Sequence, residues 1–244
     1  MRILLANANT TAAVTERCAA SARAVAGAAT EIVPVTPRFG PAIITSRAEN
    51  AIAAHGLLDC LAEHHAGCDA AILAVSYDTA LFAARQLLPI PVIGMTEAAC
   101  LAACTVGGRF GLVTFSSPEL YREVIAGHGL SARLSGIALV AATPQDALSD
   151  PDGVAAKVAE AAEALAREGA DSVLLGGAAL AGIGGRIQGR APVPLIDGIA
   201  AAVVLAEALA RLALPKPRTG SFAAPSARPS LGLGGALAAL LGRG

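Results

Sequence analysis

The sequence predicts an α/β fold of two similar lobes, each a parallel sheet flanked by helices, followed by a flexible C-terminal tail. Three observations carry that expectation. Apolar runs of strand length alternate with Ala-rich helical stretches as far as residue 213, the pattern of a parallel sheet with helical crossovers. The pattern runs twice: Ile3–Thr10 is echoed by Phe110–Ser117, and Ala71–Thr79 by Val173–Leu180. Finally, 55% of the 244 residues are hydrophobic, 3% are aromatic and Trp is absent, so Ala, Leu, Val and Ile must fill the interior. Small-residue packing of that kind suits sheets buried on both faces.

The expected strands are Arg2–Ala6, Glu31–Val35, Ala70–Val75, Pro91–Gly94, Phe110–Thr114, Gly136–Ala141, Ser172–Leu175 and Val193–Ile196. Helical stretches fall near 11–27, 47–66, 79–88, 96–105, 117–128, 151–168 and 198–213. Several carry start signals: Thr10 or Thr11 before the first, Thr96 with Glu97 at another, and Ser116 and Ser117 ahead of Pro118-Glu119, where proline suits a first turn. The first lobe is expected over 1–94 with 198–213 crossing back onto it, and the second over 95–197.

Composition also excludes function classes. The net charge of -1, without a basic run, lacks the footprint of a nucleic-acid binder. No apolar stretch reaches the roughly 18 uninterrupted residues of a membrane span, and the start MRILLANANTT lacks a signal-peptide pattern. A cytoplasmic protein is the expectation. The five cysteines, Cys18, Cys60, Cys68, Cys100 and Cys104, are odd in number and form no CxxC, which argues against a disulfide framework and a zinc site. Gly182, Gly184 and Gly185 lack the Lys-Ser/Thr of a phosphate loop, and no cofactor or metal is expected. His55, His64, His65 and His128 read as solvated surface residues.

In open α/β sheets ligands bind beyond the carboxyl ends of strands. That places Asn7–Thr11, Ser76–Thr79, Thr114–Ser117 and Gly176–Leu180 where a site would be built. Asn at a strand end also forms turns, and hydroxyls ahead of a helix also cap it, so both roles stay open there.

Five segments match the motifs of one known family. NANTT after the first strand resembles NPNTS/T; GPAIITSRAEN (40–50) resembles GPxxIESxxDE; PVIGMTEAACLAA (91–103) is similar to PVxGIxEAAxHxA; RFGLVT (109–114) ends a strand in Thr as the family does; and VPLIDGIAAAVVLAEAL (193–209) resembles VPVIDGVxAAVxxAE. Together they resemble the aspartate/glutamate/hydantoin racemase superfamily, with hydantoin and allantoin racemases nearest, over about 210 residues in order. The resemblance implies a cofactor-independent homo-oligomeric enzyme that works at the carbon next to a carboxylate or cyclic amide. Its substrate would lie between the lobes, with one cysteine from each lobe handling the proton.

This sequence departs from the pattern where the chemistry is done. The ACFxDxGL segment becomes AVSYDTAL (74–81), placing Val75 at the cysteine with Ser76 beside it. The LGCAGM segment becomes LLGGAALAG (174–182), placing Gly177 at the second cysteine with Ala178 next to it. Neither Val nor Gly accepts a proton, so two-thiol racemisation is not expected. Asp78 and Ser76 are the candidate catalytic residues, although Ser needs an activating neighbour and Asp78 would equally serve as an N-cap. Asn9, Thr10, Val75, Tyr77, Thr114, Ser116, Ser117, Gly177 and Ala178 are the expected substrate contacts. Arylmalonate decarboxylases of the same superfamily manage with one thiol, so a lyase is one alternative, and a non-catalytic protein that binds a small acid or amide is another.

The tail differs in kind. PKPRTGSFAAPSARP (215–229) has a linker composition, and SLGLGGALAALL (230–241) brings five leucines to the chain end. Exposed leucines need a partner, and a helix packed on its own domain or across a dimer is one solution. The segment also resembles the C-terminal cargo-loading peptides of encapsulin nanocompartments. That resemblance implies a shell partner reached through residues 230–244, with the core as its passenger.

Overall fold

A computed structural model describes residues 1–143 and 146–242. They form two compact units: Met1–Ala74 with Asp78–Gly94 and the chain from Val203 onward, and Val75–Tyr77 with Met95–Ala202. The chain therefore returns to the first unit part-way along its last long helix, and Val75–Tyr77, one residue beyond the end of the third strand, belong to the second unit.

In the first unit, β1 (Arg2–Ala6), α1 (Ala12–Val25), β2 (Glu31–Val35), α2 (Arg47–His64), β3 (Ala70–Leu73), α3 (Leu81–Leu87) and β4 (Val92–Gly94) alternate. The four strands are parallel in the order β2-β1-β3-β4, with Ile3 opposite both Ile32 and Ala70. Ile3, Leu4, Leu5, Ile72 and Leu73 are fully buried, as expected of central parallel strands covered on both faces. Helix α2 starts on a capping box: Ser46 Oγ accepts the Glu49 N–H, while Glu49 Oε2 accepts from the Ser46 N–H.

The second unit repeats the scheme. It contains α4 (Met95–Val106), β5 (Phe110–Thr114), α5 (Pro118–Gly127), β6 (Leu134–Leu139), α6 (Asp146–Ser149), α7 (Pro151–Arg167), β7 (Ser172–Gly176), α8 (Ile183–Ile187) and β8 (Leu195–Asp197), then the start of α9 (Gly198–Leu212). Its strands run parallel in the order β6-β5-β7-β8, the first unit's order again. Gly111 and Gly136 are register partners, and Leu165 of α7 sits in the notch they leave. A Cβ on Gly111 would lie 2.9 Å from Leu165 Cδ1. The apolar core here joins Val113, Val173 and Leu175 of the sheet to Val154, Val158 and Ala162 of α7.

Three expectations change. The third strand stops at Leu73 rather than Val75, because the chain then enters a loop with left-handed residues at Asp78 (φ 46°) and Ala80 (φ 58°). His128 is not a surface residue: its side chain is 6% exposed, with Nδ1 3.6 Å from Glu97 Oε1. The apolar end of the tail is ordered as α10 (Gly235–Leu241), which packs on α2 with Leu237 and Leu240 buried. Packing on its own domain is thus the solution found for those two leucines, whereas Leu231 is 99% exposed. On the way, Lys216 Nζ donates to the Gln86 carbonyl, Gln86 Nε2 donates to the Ser221 carbonyl, and the Phe82 and Phe222 rings lie 6.0 Å apart. Arg243 and Gly244, at the end of the tail, lie outside the described residues.

Candidate functional site

With the order β2-β1-β3-β4, the chain leaves β1 toward one edge and later returns to β3 on its other side. The same reversal occurs between β5 and β7. Crevices beyond the carboxyl ends of such strand pairs are where open α/β sheets bind ligands. All four segments singled out in the sequence lie at those strand ends.

The second unit gathers hydroxyls there. Tyr77 Oη hydrogen-bonds Ser116 Oγ, and its ring meets that of Tyr121 edge-on at 5.3 Å between centroids. Gly177 follows β7 at φ 126°, a conformation that L side chains rarely adopt. A Cβ at Gly177 would lie 3.8 Å from Ser76 Oγ and 3.9 Å from Tyr121 Oη. The side-chain position that Gly177 leaves empty is thus bordered by one aliphatic and one phenolic hydroxyl. Gly176 is closely approached as well: a Cβ there would lie 3.0 Å from Tyr121 Cζ and Oη, so that ring would have to shift to admit one. Thr96 Oγ1 donates to the Ser76 carbonyl and fixes the loop backbone.

The neighbouring hydroxyls have local work. Thr114 is fully buried, and its Oγ1 accepts the Ser116 N–H at 3.0 Å. Ser117 Oγ caps α5 through the Leu120 N–H and donates to Glu119 Oε2. Both are therefore engaged in building the turn into α5, and Ser116 is left as the member that reaches Tyr77. Ala178 opens a short 3₁₀ turn over Ala178–Leu180 and brings no polar side chain. Val75 is buried.

The first unit carries the other candidates. Asp78 is not a helix cap: α3 starts at Leu81 behind Ala80, and Asp78 offers its own carbonyl to the Leu81 N–H. The residue is 6% exposed, and its side chain lies against Gly94, where a Cβ would fall 2.4 Å from Asp78 Cγ. Thr79 Oγ1 donates to Asn50 Oδ1 at 2.5 Å. After β1, Asn7 is fully buried, and its Nδ2 donates to Asn9 Oδ1 and Thr15 Oγ1 at 2.9 and 3.2 Å. Asn9 and Thr10 are half-buried, and the Thr10 N–H donates to the Pro41 carbonyl.

Tyr121 is the residue that reading the sequence missed. It falls in an amphipathic helix, where an aromatic reads as core, and only the fold brings its hydroxyl beside Gly177. The thiols sit elsewhere: Cys18, Cys60, Cys68 and Cys100 are buried and Cys104 half-buried, in α1, α2, the turn before β3 and α4. Burial pushes the Cys60 thiol up to about 11 and raises that of Cys68, the opposite of what a nucleophile or proton carrier needs. Among the described residues no group of three or more His, Cys, Asp or Glu is placed to hold a metal ion.

Residues 3–206 match the family described as Asp/Glu/Hydantoin racemase. The chain belongs to that family. A hydantoin racemase from Rhizobium meliloti is 30% identical over 236 residues, covering 95% of this chain and 98% of that protein. The crystal structure of an allantoin racemase from Pseudomonas fluorescens superimposes with a TM-score of 0.90 at 32% identity, over 95% of this chain and 100% of that one. An allantoin racemase from Klebsiella pneumoniae gives 0.89 at 34%, over 97% and 98%. The family's fold is present in full, with two parallel four-stranded sheets flanked by helices.

Proposed function

We propose that the chain is a cofactor-independent enzyme of the hydantoin racemase type that activates the carbon next to a carboxylate or cyclic amide without using thiols. The observation that carries this reading is the empty side-chain position of Gly177, bordered by Ser76 Oγ and Tyr121 Oη. A proton next to a carbonyl is lost when a base takes it and the electron pair moves into the carbonyl. The oxygen then bears the charge, and hydrogen-bond donors aimed at it lower the barrier. Ser76, Tyr121 and the Tyr77–Ser116 pair supply hydroxyl donors of that kind from the second unit. Asp78, on the same β3–α3 loop as Ser76, is the proton-transfer group. A serine hydroxyl is too weak a base to act alone.

The test is incubation of the purified protein in D₂O with hydantoins, allantoin, amino acids and malonates, following α-proton exchange, optical change and CO₂ release by NMR and polarimetry. Exchange in the wild type, abolished by Asp78→Asn and slowed about 100-fold or more by Ser76→Ala, supports the reading. Binding without exchange in any substrate would make the chain a small-molecule binding protein. Exchange that survives Asp78→Asn overturns the role given to that carboxylate.

A further inference from the structure

Two asparagines at the end of β1 have orientations that backbone chemistry dictates. A backbone N–H can only donate. The Thr11 N–H points at one terminal atom of Asn9 at 3.0 Å, so that atom is the amide oxygen. The Asn9 N–H points at one terminal atom of Asn7 at 3.2 Å, so that atom is the oxygen of Asn7. The amide nitrogen of Asn7 must therefore be the group facing Asn9 Oδ1 at 2.9 Å, Thr15 Oγ1 at 3.2 Å and the Thr11 carbonyl at 3.4 Å. Thr15 Oγ1 is in turn 2.6 Å from Thr36 Oγ1 of the strand-end segment after β2. Asn7 is fully buried and Thr15 nearly so, and both satisfy their polar atoms inside the protein.

The consequence falls on Asn9. Its oxygen is occupied by two internal donors, and among the described residues no acceptor faces its amide nitrogen. The polar side-chain atom of this half-buried residue that is left over is an amide nitrogen, which can only donate. We propose that Asn7 is a positioning residue that, together with the Thr11 N–H, holds the oxygen of Asn9 inward and so sets its outward hydrogen-bond polarity, so that this strand end accepts ligand carbonyl or carboxylate oxygens and rejects ammonium and amide N–H groups. The proposal rests on the functional reading above and sharpens it: the group recognised here is an acceptor oxygen, and Asn7 never touches it.

Two substitutions separate positioning from mere support. Asn9→Asp keeps an oxygen for both internal donors but turns the outward edge into an acceptor. Asn7→Leu removes the side-chain donor to Asn9 and leaves only the Thr11 N–H on its oxygen; should that variant fail to fold, Thr15→Val removes the anchor of Asn7 with little change in shape. The lock itself is read without ligand, as a trans-hydrogen-bond NMR coupling between the Thr11 amide nitrogen and Asn9 Cγ. Binding is read by titration with hydantoin and acetate as acceptor probes and methylammonium as a donor-only probe. The expected result is a coupling in the wild type, hydantoin and acetate affinity at least about tenfold weaker in Asn9→Asp with an unchanged urea midpoint, and reduced discrimination against methylammonium in Asn7→Leu or Thr15→Val. Absence of the coupling, or equal hydantoin affinity in wild type and Asn9→Asp, overturns the proposal. Wild type that shows the coupling yet binds neither hydantoin nor acetate overturns the functional reading instead.

Discussion

Glu207 offers the most direct test of how α9 is tied into the first unit. Its Oε1 accepts the Gly27 N–H at 2.9 Å and the Thr30 hydroxyl at 2.5 Å, which binds α9 to the turn between α1 and β2. Arg211 is 3.8 Å from Oε2 but 71% exposed, so that pair adds only a few tenths of a kcal/mol. Hydrogen bonds to charged groups are each worth about 1.5–3 kcal/mol. Glu207→Ala removes both from a residue that is 9% exposed, and about 3 kcal/mol of stability should go with them. At a typical slope of about 2 kcal/mol/M, the urea midpoint falls by about 1–2 M. Glu207→Gln keeps an acceptor oxygen and should lose only about 1 kcal/mol. Acid adds a second signature. The hydroxyl of Thr30 and the N–H of Gly27 hold the Glu207 carboxyl below its usual value in the folded chain. The unfolded chain therefore takes up the proton first, and the advantage of Glu207 is complete above the ordinary glutamate value of about 4.3. It shrinks as pH falls through the lowered folded value. Far-UV circular dichroism during urea unfolding at pH 7 and pH 3 reads both effects. A Glu207→Ala loss below about 1 kcal/mol at pH 7, or a gap between wild type and Glu207→Gln that widens at pH 3, would refute the reasoning.

Other perturbations follow from close approaches. Gly111→Ala drives a methyl group into Leu165 and should lower the urea midpoint by an amount equivalent to about 1–3 kcal/mol; Gly111→Ala combined with Leu165→Ala, measured in the same assay, should recover part of it. Gly94→Ala displaces the Asp78 carboxylate, so any wild-type exchange activity in D₂O should fall more steeply than thermal stability does. Val75→Cys with Gly177→Cys finds ordinary contact distances around residue 177 but a strained φ of 126°; the expected outcome is measurable hydantoin exchange with a melting temperature several degrees below wild type. Leu237→Asp places a charge in the buried face of α10, which should detach that helix from α2 and appear as new proteolytic cleavage after Pro215, with the core intact on mass spectrometry.

The strand-and-helix alternation and its repeat were readable because burial on both faces leaves continuous apolar runs, as in RILLA and FGLVT. The end of β3 was harder. Ala74 and Val75 are as apolar as the strand before them; Ala74 still donates to the Ala6 carbonyl, and the chain then leaves the ladder for the loop with left-handed residues at Asp78 and Ala80. The same turn removes Asp78 from the capping role that its place before a helix suggested. His128 and Tyr121 illustrate a second kind of loss. Each lies at a helical position whose neighbours in space come from elsewhere, Glu97 on α4 for one and Gly176 and Gly177 for the other, so no local pattern announces them. The tail shows the converse: the leucines announced a need for burial, but which face would meet it depended on α2 and on glycine at 234, where a Cβ would lie 2.1 Å from Asp59 Oδ1.

Substitutions at the two strand ends where the thiols were expected need not be independent of each other. Val75 is buried, and Gly177 leaves a side-chain position bare that the Ser76 and Tyr121 hydroxyls border. A cysteine restored at 177 alone would occupy that space beside both hydroxyls, strained at φ 126°, without gaining a partner thiol from residue 75. Single restoration should therefore cost any native activity, and only the paired change supplies two proton carriers. That ordering, with the single Gly177→Cys variant less active than both wild type and the double variant in D₂O exchange, is what a site rebuilt around hydroxyls requires; a site that had merely decayed would gain or stay silent at every step.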